Sequence, residues 1–229
     1  MSAEIEVLYE DNHLIAVNKR AGDLVQGDET GDEPLPERVK AYLKIKYDKP
    51  GNVFLGVVHR LDRPTSGIVV FARTSKALSR MNDLFRQRDT HKVYWALCEQ
   101  APKEPFGQLT DFLAKNAKQN KSYVVGANHP KGKKAELTYR LLGSLDRYHL
   151  IEVELHTGRH HQIRAQLAAM GCIIRGDLKY GAKRSNPDGS ISLHARSLEF
   201  VHPVQKEPLS ITAPCPEEKV WQEAQKLAP

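Results

Sequence analysis

The hydrophobic period changes repeatedly along this chain and never settles into a regular strand–helix–strand alternation. Two short runs of period two, Val7–Tyr9 and Leu14–Asn18, are divided by the turn-forming Asp11-Asn12 and closed by Gly22, which predicts a hairpin. An acidic loop with Gly and Pro follows, then a short predicted helix with Val39, Leu43 and Tyr47 on one face, stopped by Pro50-Gly51. Ile68–Ala72 predicts a strand. "TSKALSRMNDLFRQR" predicts a helix capped by Thr74 or Ser75 that buries Leu78, Met81, Leu84 and Phe85.

"HKVYWALCEQ" reads as another strand, and residues 135–158 as two strands around a turn at Gly143–Arg147. The period then lengthens. Ile163, Leu167 and Met170 recur at i, i+4 and i+7 with Gly171 as a stop, predicting a helix that opens near Thr157. The tail predicts a short helix docking Val220, Trp221 and Leu227. There is no internal repeat, low-complexity segment or clear linker. Such mixing favours an α+β fold over a doubly wound parallel sheet.

At 229 residues and 40% hydrophobic content the chain has material for one compact core or two small subdomains, so a single domain over 1–229 is expected. No stretch approaches the roughly 20 apolar residues of a membrane span, and the start "MSAEIEVLYEDNHL" is acidic where a secretory signal is basic and then apolar. A cytoplasmic protein without a membrane partner is the expectation. Cys98, Cys172 and Cys215 are odd in number and form no CxxC pair, which leaves them as small buried apolar residues.

Charge is segregated. Residues 1–37 hold ten acidic side chains against two basic ones, so the remainder carries +14 of a chain whose net charge is +6. Between Phe112 and Ala135 stand Lys115, Lys118, Lys121, Lys131, Lys133 and Lys134 with no acid, and a second basic series includes Arg159, Arg164, Arg175 and Lys179. Each cluster is either a solvated loop or a surface that neutralises phosphates and releases counterions.

Three chemistries fail on spacing. "GANHPKGKK" has five residues between its glycines and no Ser or Thr after the lysine, so it is not a phosphate loop. Ser66 in "PTSG" lacks the first glycine of a nucleophile elbow. The histidines of "HTGRHHQIR" have no carboxylate or cysteine at ligand spacing, and their basic neighbourhood repels cations, so no metal site is expected.

Asp62, in "VVHRLDRPTSGIVVFA", is harder to dismiss. Its bland role is a turn, with its carboxylate taking N–H bonds near Thr65 and Ser66 while Gly67 permits the bend. Yet it lies between Arg60 and Arg63 and before an apolar strand, where cations keep a carboxylate ionised and the apolar floor excludes water. Those are the conditions for a nucleophile or general base.

"HRLDRPTSG" (His59–Gly67) resembles the HRLD-x-x-TSG signature of RNA pseudouridine synthases of the RluA family. "NKRAG" (Asn18–Gly22) resembles the family's NKPAG, with Arg20 where Pro is usual; "KVYWA" (Lys92–Ala96) resembles its K-x-Y-x-A strand. "TGRHHQIRAQLAAMGCIIRGDLKYG" is similar to TGRxHQIRxHLxxxGxPIxGDxxYG, with Gln166 for the usual His, and "LHA" (Leu193–Ala195) matches a late segment. The five motifs run in order from about Ile5 to Pro214.

The resemblance implies a pseudouridine synthase fold: a mixed, largely antiparallel sheet in two subdomains, flanked by helices and loops around a basic cleft, here without the S4 domain of some relatives. It implies that Asp62 is the catalytic carboxylate, that Tyr94 stacks on the target uracil and that Arg164 pairs with Asp62. Arg60 is expected to take the place of the extruded nucleotide, Leu193 to pack against the base or the Asp, and His59 and Arg159 to bind substrate beside them. The reaction breaks the C1′–N1 bond, turns the uracil and rejoins it through C5 without net redox change, so it needs no metal or other cofactor. RNA, a tRNA or rRNA stem-loop, is the expected partner, with the motifs leaning towards tRNA or a small stem-loop, and no obligate protein partner is expected. A catalytically silent RNA-binding or RNA-folding protein on the same scaffold is the alternative, and a metal-dependent nucleic-acid hydrolase using Asp62 is a second.

Overall fold

The structure is a computed structural model and describes residues 5–27 and 31–228. The first four residues of the acidic N-terminal stretch, and residues 28–30 of the acidic loop, lie outside the described residues. In chain order the elements are β1 (Val7–Glu10), β2 (Leu14–Lys19), α1 (Leu35–Lys46), β3 (Gly56–Val57), β4 (Ser66–Ala72) and α2 (Ser75–Gln87). There follow β5 (Thr90–Cys98), β6 (Phe106–Asn116), β7 (Lys121–Val125), β8 (Lys133–Ser144), β9 (His149–Leu155) and α3 (Gln162–Ala169). A 3-10 turn at Leu178–Tyr180, β10 (Leu193–Val201), β11 (Pro208–Thr212), α4 (Lys219–Ala224) and a 3-10 turn at Gln225–Leu227 complete the chain. Strands and helices share the chain without βαβ alternation, an α+β fold. Two compact units divide it: the residues up to Thr90 with Arg196–Pro214, and His91–Ala195 with the tail from Cys215.

In the first unit β1 pairs antiparallel with β2, and β2 with β4, placing Leu14 opposite Ala72 and Lys19 opposite Gly67. The hairpin is closed by Asp11, whose Oδ1 accepts the N–H groups of His13 and Leu14 at 2.8 and 2.7 Å. Leu14–Val17 and Ile68–Ala72 are buried on both faces, the arrangement that unbroken apolar strand runs require. Thr74 caps α2, its Oγ1 accepting from the Ala77 N–H at 3.1 Å, a contact worth about 1 kcal/mol. The helix lays Ala77 and Met81, with half-buried Leu78, Leu84 and Phe85, on a core of Leu14, Ile68, Val70, Leu198 and Ile211.

α1 buries Val39 and Leu43 as expected, but Tyr47 does not share their face. The helix ends at Lys46, and Tyr47, with φ −108°, turns outward to remain 44% exposed, its hydroxyl donating to Glu10 Oε1 at 2.6 Å.

In the second unit five strands run in the order β5-β9-β8-β6-β7, all pairings antiparallel. The lysine-rich stretch after Phe112 is therefore largely sheet: β6, β7 and the start of β8 carry it. Ile163 and Leu167 of α3 are buried with Ala96, Leu137, Ile151, Val153 and Leu193. α4 docks Trp221 against Trp95, Leu97, Leu150 and Cys215, with Leu227 beside it. All three cysteines are buried; burial pushes the Cys98 thiol well up and Cys172 to about 11, so both behave as apolar side chains.

α3 opens at Gln162, five residues later than its apolar period predicts. His161, at φ +53°, interrupts the helical path, and the preceding turn is held by side chains.

Candidate active site

The first unit carries the loop 59–67. The turn at Asp62 is closed by main chain: Thr65 donates its N–H to the Asp62 carbonyl at 3.0 Å. Gly67, at φ +111°, makes the bend that a side-chain-bearing residue resists. Leu61, Thr65 and Ser66 are buried, Asp62 is half-buried, and Arg60 and Arg63 are exposed.

Lys19 fixes this loop. Fully buried, its ammonium donates to the carbonyls of Arg20 at 3.0 Å, Arg63 at 3.0 Å and Thr65 at 2.7 Å, which uses all three N–H donors. Two of those carbonyls lie just after Asp62 in the chain, and the Gly22 N–H adds a bond to the Arg63 carbonyl at 2.8 Å. The "NKRAG" and "HRLDRPTSG" segments are thus one hydrogen-bonded unit. Burial lowers the Lys19 pKa to about 8; the charges of Asp23 and Asp62 oppose that shift, and those of Arg63 and Arg38 add to it.

The flanking arginines reach outward. Arg60 donates to Gln26 Oε1 at 2.9 Å, and Arg63 pairs with Asp32 at 2.5 Å. His59 stacks on Phe85, with ring centroids 4.9 Å apart, and its Nε2 accepts the Val70 N–H at 3.0 Å. It therefore ties the loop to β4 and α2 within this unit.

The second unit carries Tyr94, Arg159, Arg164 and Leu193. Tyr94, on β5 opposite Val153 of β9, is half-buried against the cluster that includes Leu193, which is 4% exposed. Arg164, on α3, is buried and forms a two-pronged pair with buried Asp177: Nε to Oδ2 at 2.7 Å and Nη2 to Oδ1 at 2.8 Å. Asp177 takes two of the five guanidinium N–H donors and compensates the desolvation of the cation. The Tyr180 ring lies under the guanidinium, 5.1 Å from its carbon. Gly176 before Asp177 must be glycine, because at φ +84° a Cβ would come within 2.7 Å of the Ser190 carbonyl oxygen.

The turn before α3 is organised by Gln162. Its Oε1 accepts from Thr157 Oγ1 at 2.7 Å and from the Arg159 N–H at 3.0 Å, and its Nε2 donates to the Glu136 carbonyl at 3.0 Å. Thr157 Oγ1 in turn accepts the Glu136 N–H at 2.8 Å. Arg159 sends its Nε to the Lys134 carbonyl at 2.9 Å, so this residue braces the start of β8.

A family model described as RNA pseudouridylate synthase matches residues 13–169, more than half the chain. A Chlorobaculum parvum protein named as an uncharacterized RNA pseudouridine synthase is 34% identical over 93% of this chain and 72% of its own length. The chain belongs to the RluA-type RNA pseudouridine synthases. The ribosomal large subunit pseudouridine synthase D of Xanthomonas campestris is likewise 34% identical, over 93% of this chain and 67% of its own. Synthase C of Vibrio cholerae is 33% identical over the same shares. In fold, the synthase superposes on human RNA pseudouridylate synthase domain containing 4 with a TM-score of 0.79 at 23% identity, covering 97% of this chain and 92% of that one. As a member of this family it is an isomerase acting on uridine in RNA.

Sequence reading names Asp62 and Arg164 but misses Lys19, which holds the Asp62 turn, Asp177 and Tyr180, which engage Arg164, and Gln162, which organises the turn before α3. All four sit inside the quoted motifs. The signal was present as a lysine, an acid, an amide and a tyrosine whose partners lie far away in the chain.

Proposed function

We propose that this synthase isomerises a uridine in a structured RNA loop, with Asp62 as the catalytic carboxylate. The observation that carries this reading is the Lys19 clamp. A fully buried ammonium holds the main chain immediately after Asp62, while the Asp62 side chain stays half-buried and its neighbours Arg60 and Arg63 reach solvent. A carboxylate fixed through its own backbone is preorganised for attack or proton transfer without reorganisation at the moment of reaction.

In this reading Tyr94 supplies a ring face for the detached uracil beside the apolar Leu193, and Arg164 holds the Asp62 charge. Arg60, exposed and donating to Gln26 Oε1, fills the place of the extruded nucleotide, since unstacking costs a few kcal/mol that an inserted side chain offsets. His59 and Arg159 act on substrate through the segments they brace. The chemistry balances within the nucleoside: C1′–N1 breaks, C1′–C5 forms, the C5 proton leaves and N1 gains one. Neither electrons nor water are consumed.

The relatives named as ribosomal large subunit synthases favour large-subunit rRNA as substrate; a tRNA stem-loop is the second choice. Carbodiimide mapping of pseudouridine across total rRNA and tRNA, in cells carrying the wild-type chain or Asp62→Asn, tests the reading. One or a few sites should disappear in the variant. If all persist, and purified protein also fails on the matching transcripts, the catalytically silent RNA-binding reading replaces this one.

A further inference from the structure

Arg164 and Lys121 lie over the same aromatic ring. It belongs to Tyr180, with the guanidinium carbon 5.1 Å and the ammonium 4.8 Å from its centroid. Tyr180 closes the short turn that begins after Asp177, so one turn supplies both the carboxylate that grips Arg164 and the ring beneath it.

The Tyr180 hydroxyl has separate work. It accepts the Ser122 N–H at 2.9 Å and donates to the Ser122 carbonyl at 3.0 Å, bonding β7 as a neighbouring strand would. His161 Nδ1 is 3.0 Å from the same hydroxyl. Next to it His160, stacked on His161 at 3.8 Å, reaches Ser122 Oγ at 2.9 Å and Asn120 Oδ1 at 3.0 Å, and Lys179 donates to the Asn120 carbonyl at 3.1 Å. The tip of the β6–β7 hairpin, which presents Lys115, Lys118 and Lys121, is thereby fastened to the start of α3 by side chains as well as by its own ladder.

We propose that the Asp177–Tyr180 turn is a positioning device with two separable ends. Asp177 sets the orientation of Arg164 for the chemical step, and Tyr180 sets the lysine-bearing hairpin for the RNA phosphates. This inference rests on the proposed roles of Arg164 in the reaction and of the lysines in RNA binding. Replacing Asp177 by Asn leaves one acceptor where two held the guanidinium, so Arg164 can rotate while the hairpin stays tied. Replacing Tyr180 by Phe keeps the ring under both cations but removes the bonds to Ser122 and His161, so the hairpin loosens while Arg164 keeps its carboxylate.

The test uses the full chain and a transcript carrying the mapped uridine with tritium at C5, whose release reports isomerisation. Single-turnover rate, dissociation constant and its slope with salt concentration are measured for each variant, with thermal midpoints alongside. Asp177→Asn is expected to slow the saturating rate by about 100-fold while affinity stays within about threefold. Should it not fold, Asp177→Glu, which keeps the charge but displaces it by a methylene, carries the same expectation of rate loss without affinity loss. Tyr180→Phe is expected to weaken binding by about tenfold, to flatten the log–log salt slope by about two, and to lower the saturating rate by less than about threefold. Rate and affinity falling together in both variants, in step with a lowered thermal midpoint, would mean that the turn is merely structural. Wild-type behaviour in both also overturns the proposal. If the wild type releases no tritium from any transcript, the functional reading itself fails. The binding arm then decides: an unchanged salt slope in Tyr180→Phe sinks the inference, and a flattened one keeps its hairpin half.

Discussion

The ammonium of Lys19 donates to the carbonyl of Thr65 at 2.7 Å, across 46 positions of sequence, and so joins the strand β2 to the turn that carries Asp62. Lys19→Met keeps most of the volume but withdraws all three donors from the buried carbonyls. A loss of about 1–3 kcal/mol is expected, less than the sum of three charged hydrogen bonds because the cost of burying the ammonium also disappears. The melting midpoint should fall by roughly 3–10 °C for a chain of this size. Single-turnover rate should fall further than RNA affinity, because the change loosens Asp62 and touches no phosphate contact. Equal losses in rate and affinity would remove Lys19 from any role in placing the carboxylate.

The same ammonium predicts an alkaline limb in activity. Its pKa is lowered to about 8 by burial, whereas the unfolded chain keeps the ordinary 10.5. Between those values the unfolded state holds more protons, so this group's contribution to folding stability rises with pH across the window, the burial cost of the charge being relieved. Catalysis should move the other way. A neutral amine has two N–H donors for three carbonyls, so the Asp62 turn relaxes and the rate falls as pH passes about 8. A pH–rate profile of the wild type beside Lys19→Met checks this: the limb should be missing from the variant, and its persistence would assign it to another group.

Asp62→Asn is nearly isosteric and leaves the Thr65 N–H bond to the residue 62 carbonyl intact, because that bond is main chain to main chain. Product formation should be abolished while affinity for RNA stays within about tenfold. Tritium release and filter binding on the same transcript separate the two effects; a variant that still turns over would remove Asp62 from the reaction.

Apolar strands were the most legible part of the fold, because "LIAV" and "IVVFA" can be buried only where both faces are covered, and there the side chains alone determine the element. The cap of α2 was legible for a similar local reason. β6 and β7 were not, since lysines and an exposed face blur their period of two, and the pairing that makes them strands is long-range. The opening of α3 was misplaced because a left-handed His161 and the Gln162 side chain, rather than helical period, decide where it starts. Motif residues were readable as types; their grips were not. That Arg164 takes Asp177, or Lys19 takes three carbonyls, depends on which segments fold together.

Lys131 in the loop before β8 and Lys133 at the first position of the strand are both exposed, whereas Lys134 is already paired with Glu136 at 2.8 Å. Replacing all three by Ala should therefore flatten the salt dependence of RNA binding by about two phosphate contacts rather than three, with little change in the saturating rate. Filter binding across a salt series measures this. An unchanged slope would place the loop away from RNA.

Gln162 gives the last and sharpest contrast. It serves Thr157, Arg159 and Glu136 at once from a buried position, and Arg164 follows it by two residues on the same helix start. Gln162→Ala takes the side-chain acceptor from a buried hydroxyl and from the Arg159 N–H, and removes one donor from the Glu136 carbonyl, which keeps the N–H groups of His156 and Thr157, at a cost of about 2–4 kcal/mol. Gln162→Glu retains both acceptor contacts yet turns the donor facing the Glu136 carbonyl into a carboxylate oxygen, so it should be at least as damaging despite its similar shape. Both variants should lower the melting midpoint and the reaction rate together, unlike Asp62→Asn, which should lower the rate alone. If Gln162→Glu matched the wild type in thermal unfolding, the Nε2 contact would not be what holds the turn, and the Thr157 and Arg159 contacts would have to suffice.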